Sequence, residues 1–480
     1  INRMKTFPGE KILFLAPTKP LAEQHITSFK KNLPELFADM QLFTGMVKPE
    51  NRKKIWETAD IIFSTPQCVA NDVKKNLYNL NNVCLLIVDE AHRCVRNYDY
   101  TYVAKKYKEQ AKNQRILGLT ASPGSESSKI KDICKHLSIE EVELRTRDSP
   151  DVNQYLQELE FEKIMVNFPP KFEEMRQVLK KIYESYIEEL RKRNVLFGPI
   201  NKVVLIQLQQ KIMASLARGN KNFSYFHAAS ACAQAIKLQH ALELLETQTL
   251  ESFNNYLKTL IHQAEKKQSR GVVKLVMNPE FNYVFMQSNE MLIKGEEHPK
   301  LIELEKTIRQ EREKEKEIKI IIFTQFRDTA TIIAKKLNQI KNIKAKIFVG
   351  QTKRSSSGKK DSTGLSQKEQ KQIIQEFSEG EINILVATSI GEEGLDIPEV
   401  HAVIFYEPIP SAIRSIQRRG RTARLMPGKL IMLITKNTRD EAFYYASRSK
   451  EKKMHSAIKT IKEDLANGKL NTQEKQRTLE

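Results

Sequence analysis

The stretch Cys84-Leu-Leu-Ile-Val-Asp89-Glu90-Ala91-His92 joins an apolar run to two adjacent carboxylates. A short run of branched apolar residues is typical of a strand buried on both faces of a parallel sheet. In such sheets ligands bind at the carboxyl ends of the strands, where Asp89 and Glu90 would stand. One acid can hold Mg²⁺ through water, and the other can activate an attacking water. The alternative interpretation is a helix amino terminus, which also favours acids.

Similar apolar runs on both sides of this one alternate with amphipathic segments, which predicts an α/β protein with two parallel sheets. Between the sheets, helical periodicity dominates. We therefore expect a first sheet domain over 1–148, an all-helical insertion over 149–296, a second sheet domain over 297–460 and a polar tail or linker over 461–480. The predicted strands are Ile12–Ala16, Ile61–Thr65, Cys84–Asp89 and Ile116–Thr120, then Ile318–Thr324, Ala345–Gly350, Asn383–Thr388, Ala402–Glu407 and Lys429–Thr435.

The composition of the 480 residues is strongly basic, with 79 Lys and Arg against 59 Asp and Glu and a formal charge of +20. Such an excess favours a polyanionic partner, usually nucleic acid, although a solvated Lys-rich surface gives the same count. The five cysteines form no CxxC pair, which predicts neither disulfides nor a structural zinc site. The apolar runs are far shorter than the about 20 residues of a membrane span, so we expect a cytoplasmic protein with no membrane partner.

One stretch of the predicted insertion, residues 191–240, contains basic side chains and no acidic one. This pattern predicts a phosphate-binding surface, and an ordinary basic helix face is the alternative. The basic residues of this stretch are Arg191, Lys192, Arg193, Lys202, Lys211, Arg218, Lys221 and Lys237.

Arginines are concentrated in Gln417-Arg-Arg-Gly-Arg421-Thr-Ala-Arg424. Arg421 and Arg424 would share one face of a helix. Their guanidinium groups suit a γ-phosphate because they stay charged and bind it bidentately. A solvated basic helix and an RNA-binding arginine cluster are the alternatives.

Taken in order, these segments resemble the motifs of superfamily 2 helicases and translocases over residues 10–440. The helical insertion before His298-Pro-Lys300 and the run Phe405–Gly420 are similar to the Hef/FANCM branch, and most of all to archaeal Hef. The resemblance implies two RecA-like domains joined by a helical insertion that engages branched DNA. The matching segments are Ala16–Pro20, Ser64–Gln67, Asp89–His92 (a DEAH-type motif), Thr120–Ser122, Ile322–Arg327, Thr388–Pro398 and Gln417–Arg424.

That resemblance also implies roles for single residues in an ATP-dependent DNA helicase that acts on forks in repair. Asp89 and Glu90 would bind Mg²⁺, and Glu90 would activate the hydrolytic water. ATP would be bound by Asp89, Gly394, Asp396, Arg421 and Arg424, while His92 and Gln417 would sense the nucleotide. Thr120 and Ser122 would couple the nucleotide site to DNA. The other contacts to nucleic acid would come from Thr18, Lys19, Thr44, Gly45, Thr65, Gln67, Gln325, Gln351 and Thr388 and from the basic stretch.

Two departures from the family pattern shape the remaining expectations. The 480 residues contain no GxxxxGK[ST] loop to hold the β- and γ-phosphates, so we expect an N-terminally truncated piece without efficient ATP hydrolysis of its own. They also contain no ERKxxxD nuclease motif, so a nuclease domain or subunit would be a separate partner, as would a sliding clamp. The resemblance implies a nucleoid-associated protein of an archaeal cytosol. A double-stranded RNA translocase of the RIG-I/Dicer type and an ATPase-silent DNA-binding module are the alternatives.

Overall fold

The computed structural model describes residues 1–33, 37–146, 149–153, 157–219, 223–315, 317–350, 364–388, 397–419, 422 and 427–470. Two parallel sheets flank a helical region, as the sequence predicts. None of the helices in these ranges is both long enough and apolar enough to cross a bilayer.

The first sheet has five parallel strands in the order β2-β3-β1-β4-β5. Its central strand β1 is buried along its whole length, which explains its unbroken apolar sequence. All four predicted strands are present with small shifts at their ends, and β2 was not predicted, because Met40-Gln-Leu-Phe43 is short and contains a polar residue. The strands are β1 Lys11–Leu15, β2 Met40–Phe43, β3 Ile61–Ser64, β4 Val83–Val88 and β5 Ile116–Gly118.

Helices connect these strands and cover both faces of the sheet. Proline stands in the first turn of α2, α3 and α4, where no backbone N–H is needed for an intrahelical bond. The helices are α1 Asn2–Thr6, α2 Lys19–Asn32, α3 Pro49–Thr58, α4 Pro66–Lys74, α5 Asp99–Gln110, α6 Ser127–His136 and α7 Pro150–Asn153, with a 3₁₀ turn at Ala91–Arg93.

The helical region packs around its own core, in which Leu179 of α8, Leu242 of α10 and Phe253 of α11 are buried. A second, smaller cluster joins the end of α8 to α9 and the start of α10. The helices are α8 Pro170–Lys192, α9 Lys202–Ala217, α10 Phe223–Thr247, α11 Leu250–Glu265, α12 Arg270–Val276 and α13 Pro279–Ile293.

The second sheet has six parallel strands in the order β6-β11-β10-β7-β9-β8. Its first strand, β6 Leu159–Val166, corrects our expectation that residues 149–296 are all helical, because β6 pairs with β11 along its whole length. As an edge strand, β6 leaves Glu160 exposed and Glu162 half-buried, and these interspersed charges interrupt the apolar pattern of the sequence. The other strands are β7 Ile320–Phe323, β8 Ala345–Phe348, β9 Ile384–Ala387, β10 Ala402–Phe405 and β11 Gly428–Thr435.

The last helix connects the two sheet-containing parts. It extends through 461–466, which we expected to be a polar tail, because Ile461 is buried there. Ile130 and Cys134 of α6 pack against Met454 and Ile458 of this helix. The helices of the second part are α14 Pro299–Lys314, α15 Arg327–Leu337, α16 Gln367–Glu379, α17 Ala412–Arg419 and α18 Arg439–Ala466.

A buried ion pair joins two helices of the second part, α14 and α18. Lys300 Nζ lies 2.7 Å from Asp440 Oδ2, and both side chains are fully buried. The same ammonium lies 4.8 Å from the centre of the Tyr406 ring. Next to it, Glu407 accepts a hydrogen bond from the backbone N–H of Gln325. Each of these buried polar side chains therefore has a partner, as its desolvation requires.

Replacing Lys300 with Met is expected to lower the free energy of unfolding by about 3–5 kcal/mol, because Asp440 would stay buried without its cation. Urea unfolding followed by circular dichroism measures the change. Lys181→Met is the matched control, since Lys181 and Glu280 form an ion pair whose side chains are 76% and 38% exposed. Exposed pairs contribute about 0–1 kcal/mol. Equal losses for the two variants would contradict a stabilising role for the buried pair.

The stability of wild type relative to Glu407→Gln is expected to fall as pH rises. Burial raises the pKa of Glu407 from 4.5 to about 7, although the charges of Lys300 and Arg418 oppose the shift. Between these values the folded state keeps a proton that the unfolded chain has released, so folding weakens with rising pH. From about pH 5 to 7.5 the wild type should lose about 2 kcal/mol relative to the variant. Urea unfolding at both pH values measures this, and a difference independent of pH would refute it.

Candidate functional site

The polar residues predicted to be functional follow the carboxyl ends of the strands in the first sheet. Because all five strands are parallel, these ends lie at one edge. The strand order divides that edge into two halves. The residues expected to contact nucleic acid follow β2, β3 and β1, whereas the acidic pair and the coupling residues follow β4 and β5.

The acidic pair is held by backbone and side-chain hydrogen bonds. The N–H of Asp89 donates to the carbonyl of Leu15 at 2.9 Å, and the hydroxyl of Tyr100 donates to the carbonyl of Asp89 at 2.8 Å. Asp89 Oδ1 accepts from the N–H of Glu90 at 2.9 Å, and Oδ2 lies 2.8 Å from His25 Nε2. These contacts to both oxygens fix the orientation of the Asp89 carboxylate.

Glu90 has a left-handed backbone, with φ 49° and ψ 50°. An L-residue pays roughly 1–2 kcal/mol for this conformation, which persists where its surroundings hold it. The chain turns sharply there from β4 into the 3₁₀ turn, so the Glu90 side chain stays beside Asp89 at the edge of the sheet.

His92 connects the acidic pair to the end of β5. Its Nδ1 lies 3.2 Å from Glu90 Oε2 and 3.1 Å from Thr120 Oγ1. Thr120 Oγ1 in turn accepts a hydrogen bond from the N–H of Ser122 at 3.2 Å. The hydroxyl of Ser122 donates to Met454 Sδ of α18 at 2.9 Å. A continuous polar chain thus runs from Glu90 to the helix that connects the two parts.

The helix α17, which carries Gln417, lies against the loop that follows β5. Ile413 Cδ1 is 3.8 Å from the position that a β-carbon on Gly124 would take. Gln417 is 8% exposed. In the second sheet, Thr388 follows β9 and is nearly buried, and Gln325 follows β7. The predicted residues Arg421, Arg424, Gly394, Asp396, Gln351 and Lys221 lie outside the described residues.

The residues expected to contact nucleic acid in the first part form one row. Thr18 and Thr65 are the N-cap residues of α2 and α4, so backbone N–H groups of both helices face the same edge. Lys19 Nζ lies 3.1 Å from Met46 Sδ and 3.5 Å from Glu23. Gly45 and Gln67 are exposed, whereas Thr44 is buried.

The basic stretch of the insertion divides into exposed and paired side chains. Arg191 and Lys192 at the end of α8 and Lys211 and Arg218 on or beside α9 are exposed. Arg193 instead pairs with Glu189 at 2.9 Å. The exposed four are therefore the better candidates for phosphate contacts.

Lys202 is also paired, since its Nζ lies 2.6 Å from Glu243 Oε2. Burial of Glu243 opposes its ionisation, but hydrogen bonds from His240 and Lys202 lower its pKa to about 2. Lys202 thus neutralises a buried carboxylate. The sequence of residues 191–240 did not indicate this pairing, because Glu243 lies outside that stretch. Lys237 of α10 is half-buried, and burial lowers its pKa.

Two residues at this edge were not predicted from the sequence. His25 contacts Asp89 across 64 positions, and Arg52 of α3 is buried beside the loop that contains Thr44. A lone histidine in an amphipathic helix gives no signal of such a contact. Arg52 stands in the charged segment Asn51-Arg-Lys-Lys54, whose other members suggest a solvated helix face.

Comparison with family models covers all three parts of the chain. Residues 1–130 match the model "DEAD/DEAH box helicase", and residues 299–426 match "Helicase conserved C-terminal domain". Residues 171–296 match the model "Putative ATP-dependent RNA helicase, helical bundle".

Curated relatives and a solved structure agree with these matches. A Methanocaldococcus jannaschii protein named "Putative ATP-dependent RNA helicase" is 38% identical over 94% of this chain and 55% of its own length. The ATP-dependent DNA helicase fml1 of Schizosaccharomyces pombe is 31% identical over 98% of this chain and 56% of its own. The chain thus spans about half the length of these relatives.

The mouse Fanconi anemia group M protein homolog is 31% identical over 95% of this chain and 24% of its own length. The Pyrococcus furiosus Hef helicase domain is similar in structure, with a TM-score of 0.69, 41% identity and coverage of 93% of this chain and 90% of that one. Both sheet domains and the insertion are included in that coverage. The chain therefore belongs to the superfamily 2 DEAD/DEAH box helicases, in their Hef/FANCM branch.

Proposed function

We propose that this chain is the motor part of an ATP-dependent helicase or translocase that acts on forked or branched DNA. The observation that carries the proposal is the polar chain Glu90–His92–Thr120–Ser122, which leads from the acidic pair to α18. Such a connection suits a motor, because a change at the nucleotide can be transmitted to the second part. The names of the yeast and mouse relatives support DNA and its repair.

In this proposal Asp89 and Glu90 bind magnesium ATP, which supplies the phosphoryl group and its neutralising cation. Oxygen ligands and a largely hydrated ion suit a site with one or two carboxylates. The His25 contact and the Glu90 N–H orient the carboxylate of Asp89. Glu90 then accepts the proton of the attacking water, and His92 lies between the Glu90 carboxylate and the Thr120 hydroxyl.

We further propose that Gln417, Arg421 and Arg424 reach the nucleotide from the second part. An arginine that stabilises charge in the transition state contributes about 10³–10⁵ in rate. The position of α17 against the loop after β5 supports this role for the segment that follows it. Gly394 and Asp396 would complete the ATP site, and Gln325, Gln351 and Thr388 would contact the strand.

A second candidate function is RNA unwinding or translocation. The Methanocaldococcus jannaschii relative and the model matched by the insertion are both named for RNA helicases. DNA and RNA both present phosphates, so phosphate contacts alone do not distinguish one from the other. A protein distinguishes them by the shape of the duplex and by the 2′-hydroxyl of RNA.

Forked DNA is expected to displace a fluorescent fork from this chain at lower concentration than an RNA duplex of equal length, at one fixed salt concentration. Fluorescence anisotropy measures the competition, and the salt must be fixed because affinity changes steeply with it. Stronger competition by the RNA duplex would overturn the DNA proposal in favour of the RNA function.

Charge reversal of two exposed residues on or beside α9, Lys211→Glu with Arg218→Glu, is expected to weaken fork binding. If each contacts one phosphate, the slope of log K against log salt should fall by about 2, at roughly 0.9 per phosphate. Lys258→Glu with Lys274→Glu is the matched control, because these exposed residues on α11 and α12 change the net charge equally. Equal effects of the two pairs would show that only net charge matters.

The 480-residue chain itself is expected to release phosphate from ATP no faster than its Glu90→Gln variant, with or without forked DNA. The reason is that it contains no GxxxxGK[ST] loop to hold the β- and γ-phosphates. A coupled phosphate-release assay measures both rates. A wild-type rate clearly above that of the variant would show that the remaining residues suffice for hydrolysis.

A further inference from the structure

A buried ion pair lies behind the half of the edge expected to contact nucleic acid. Arg52 of α3 and Asp72 of α4 are 5% and 1% exposed. Arg52 Nε donates to Asp72 Oδ2 at 2.6 Å, and Nη2 donates to Oδ1. This bidentate geometry fixes direction as well as distance between the two helices.

The same guanidinium also holds the loop after β2. Its Nη1 donates to the carbonyl of Thr44 at 3.4 Å and to the carbonyl of Val47. We call residues 44–47 the β2 loop. Arg52 therefore binds the backbone of the β2 loop on one side and a carboxylate of α4 on the other. Its planar fork permits this, whereas the point charge of a lysine does not reach acceptors in several directions at fixed spacing.

Aromatic rings enclose the ion pair. The hydroxyl of Tyr78 donates to Asp72 Oδ2 at 3.1 Å. Its ring stacks on Trp56 at 4.0 Å and 7°. Phe43, the last residue of β2, lies 6.4 Å from each of these rings. Because Arg52 and Asp72 are both buried, solvent cannot compensate for the removal of either charge.

The two segments joined in this way are ones that we expect to contact nucleic acid. The β2 loop contains Thr44 and Gly45, and α4 begins after Thr65, next to Gln67. Ser64 Oγ donates to the carbonyl of Phe43 at 3.2 Å and thus ties the two strand ends together at their base. The buried ion pair provides the second tie, farther along the loop and the helix.

We propose that Arg52 and Asp72 are positioning residues that set the spacing between the β2 loop and the amino terminus of α4. Both segments then meet the phosphates of one strand as a rigid unit. Arg52 is nearly buried, so it acts through the backbone it holds and not by touching the phosphate itself. This inference rests on the proposed function, since it assumes that this edge binds nucleic acid.

Asp72→Asn provides the sharpest test, because simple electrostatics and a positioning role predict opposite changes in the affinity for DNA. The substitution adds one unit of positive charge, so electrostatics alone would tighten binding to DNA. If Asp72 positions the loop and α4, binding should weaken by about five- to tenfold. A 20-nucleotide single-stranded DNA probe, titrated by fluorescence anisotropy over several salt concentrations, measures the affinity. The slope against log salt should fall by roughly 0.7 for each phosphate that the protein no longer neutralises.

Arg52→Lys is the second variant, since it keeps the charge and removes the fork. It should weaken binding and lower the salt slope as Asp72→Asn does. Trp56 is the only tryptophan of the chain and lies in this cluster, so its emission and its quenching by acrylamide report whether the aromatic enclosure stays intact. Thermal unfolding shows whether each variant is folded at the titration temperature.

The matched control is Lys11→Met. Lys11 is 5% exposed and donates to the carbonyls of Ala59 at 2.7 Å and Glu57 at 3.3 Å, at the end of α3 that lies farthest along the chain from the β2 loop. Its replacement should destabilise the first part without changing the β2 loop. The slope of log K for DNA binding against log salt should therefore stay at the wild-type value.

The outcomes separate the inference from the function on which it rests. If wild type binds DNA and both variants match Lys11→Met, or Asp72→Asn binds more tightly, the positioning role is overturned and the proposed function stands. If wild type binds neither single-stranded nor forked DNA, the proposed function fails and this inference fails with it. Weaker binding and smaller slopes in both variants, with Trp56 still enclosed, support the inference.

Discussion

The parallel pairing of β1 with both β3 and β4 is the constraint on which the candidate site depends. Parallel neighbours bring every carboxyl end to the same edge, so the residues that follow the strands meet although they are far apart in the chain. The order β2-β3-β1-β4-β5 then separates the expected phosphate contacts from the acidic pair, with β1 between them. A nucleotide beside Asp89 and a strand beside Thr65 would therefore bind to adjacent halves of one rigid edge.

The second part is tied to the insertion and to the first part by different means. Hydrogen bonds join the insertion to the second part, since the N–H of Arg439 in α18 donates to Glu246 Oε2 of α10 at 3.0 Å and Arg439 Nη1 donates to the carbonyl of Gln239 at 2.7 Å. By contrast, α18 meets α6 through a small apolar cluster and receives the hydroxyl of Ser122 on Met454. Glu246 is 3% exposed, so leaving its carboxylate without these donors is costly, whereas a small apolar contact separates at lower cost. This difference suits a motor in which the insertion accompanies the second sheet while the two sheet-containing parts open and close.

Much of the fold was predictable because apolar runs such as Ile61–Ser64 are short, branched and buried on both faces. The exceptions are edge strands. Met40–Phe43 and Leu159–Val166 expose part of their length, so polar residues interrupt the apolar pattern on which the prediction relied. The acidic pair and its neighbours were predictable for a similar reason, since Asp89, Glu90 and His92 follow directly from one strand. The basic stretch was only partly informative, because Lys202 neutralises Glu243, a residue just beyond the window.

The sequence by itself determined that this chain has two parallel sheets around a helical region and belongs to the DEAD/DEAH box helicases, since local strand patterns and ordered motifs carry that information. Only the tertiary structure decided which side chains support those motifs. His25 reaches Asp89 across 64 positions, and Arg52 joins Asp72 to the β2 loop. The physical reason is that a buried charge takes whichever partner the packing of separate helices brings near, and sequence spacing does not encode that choice.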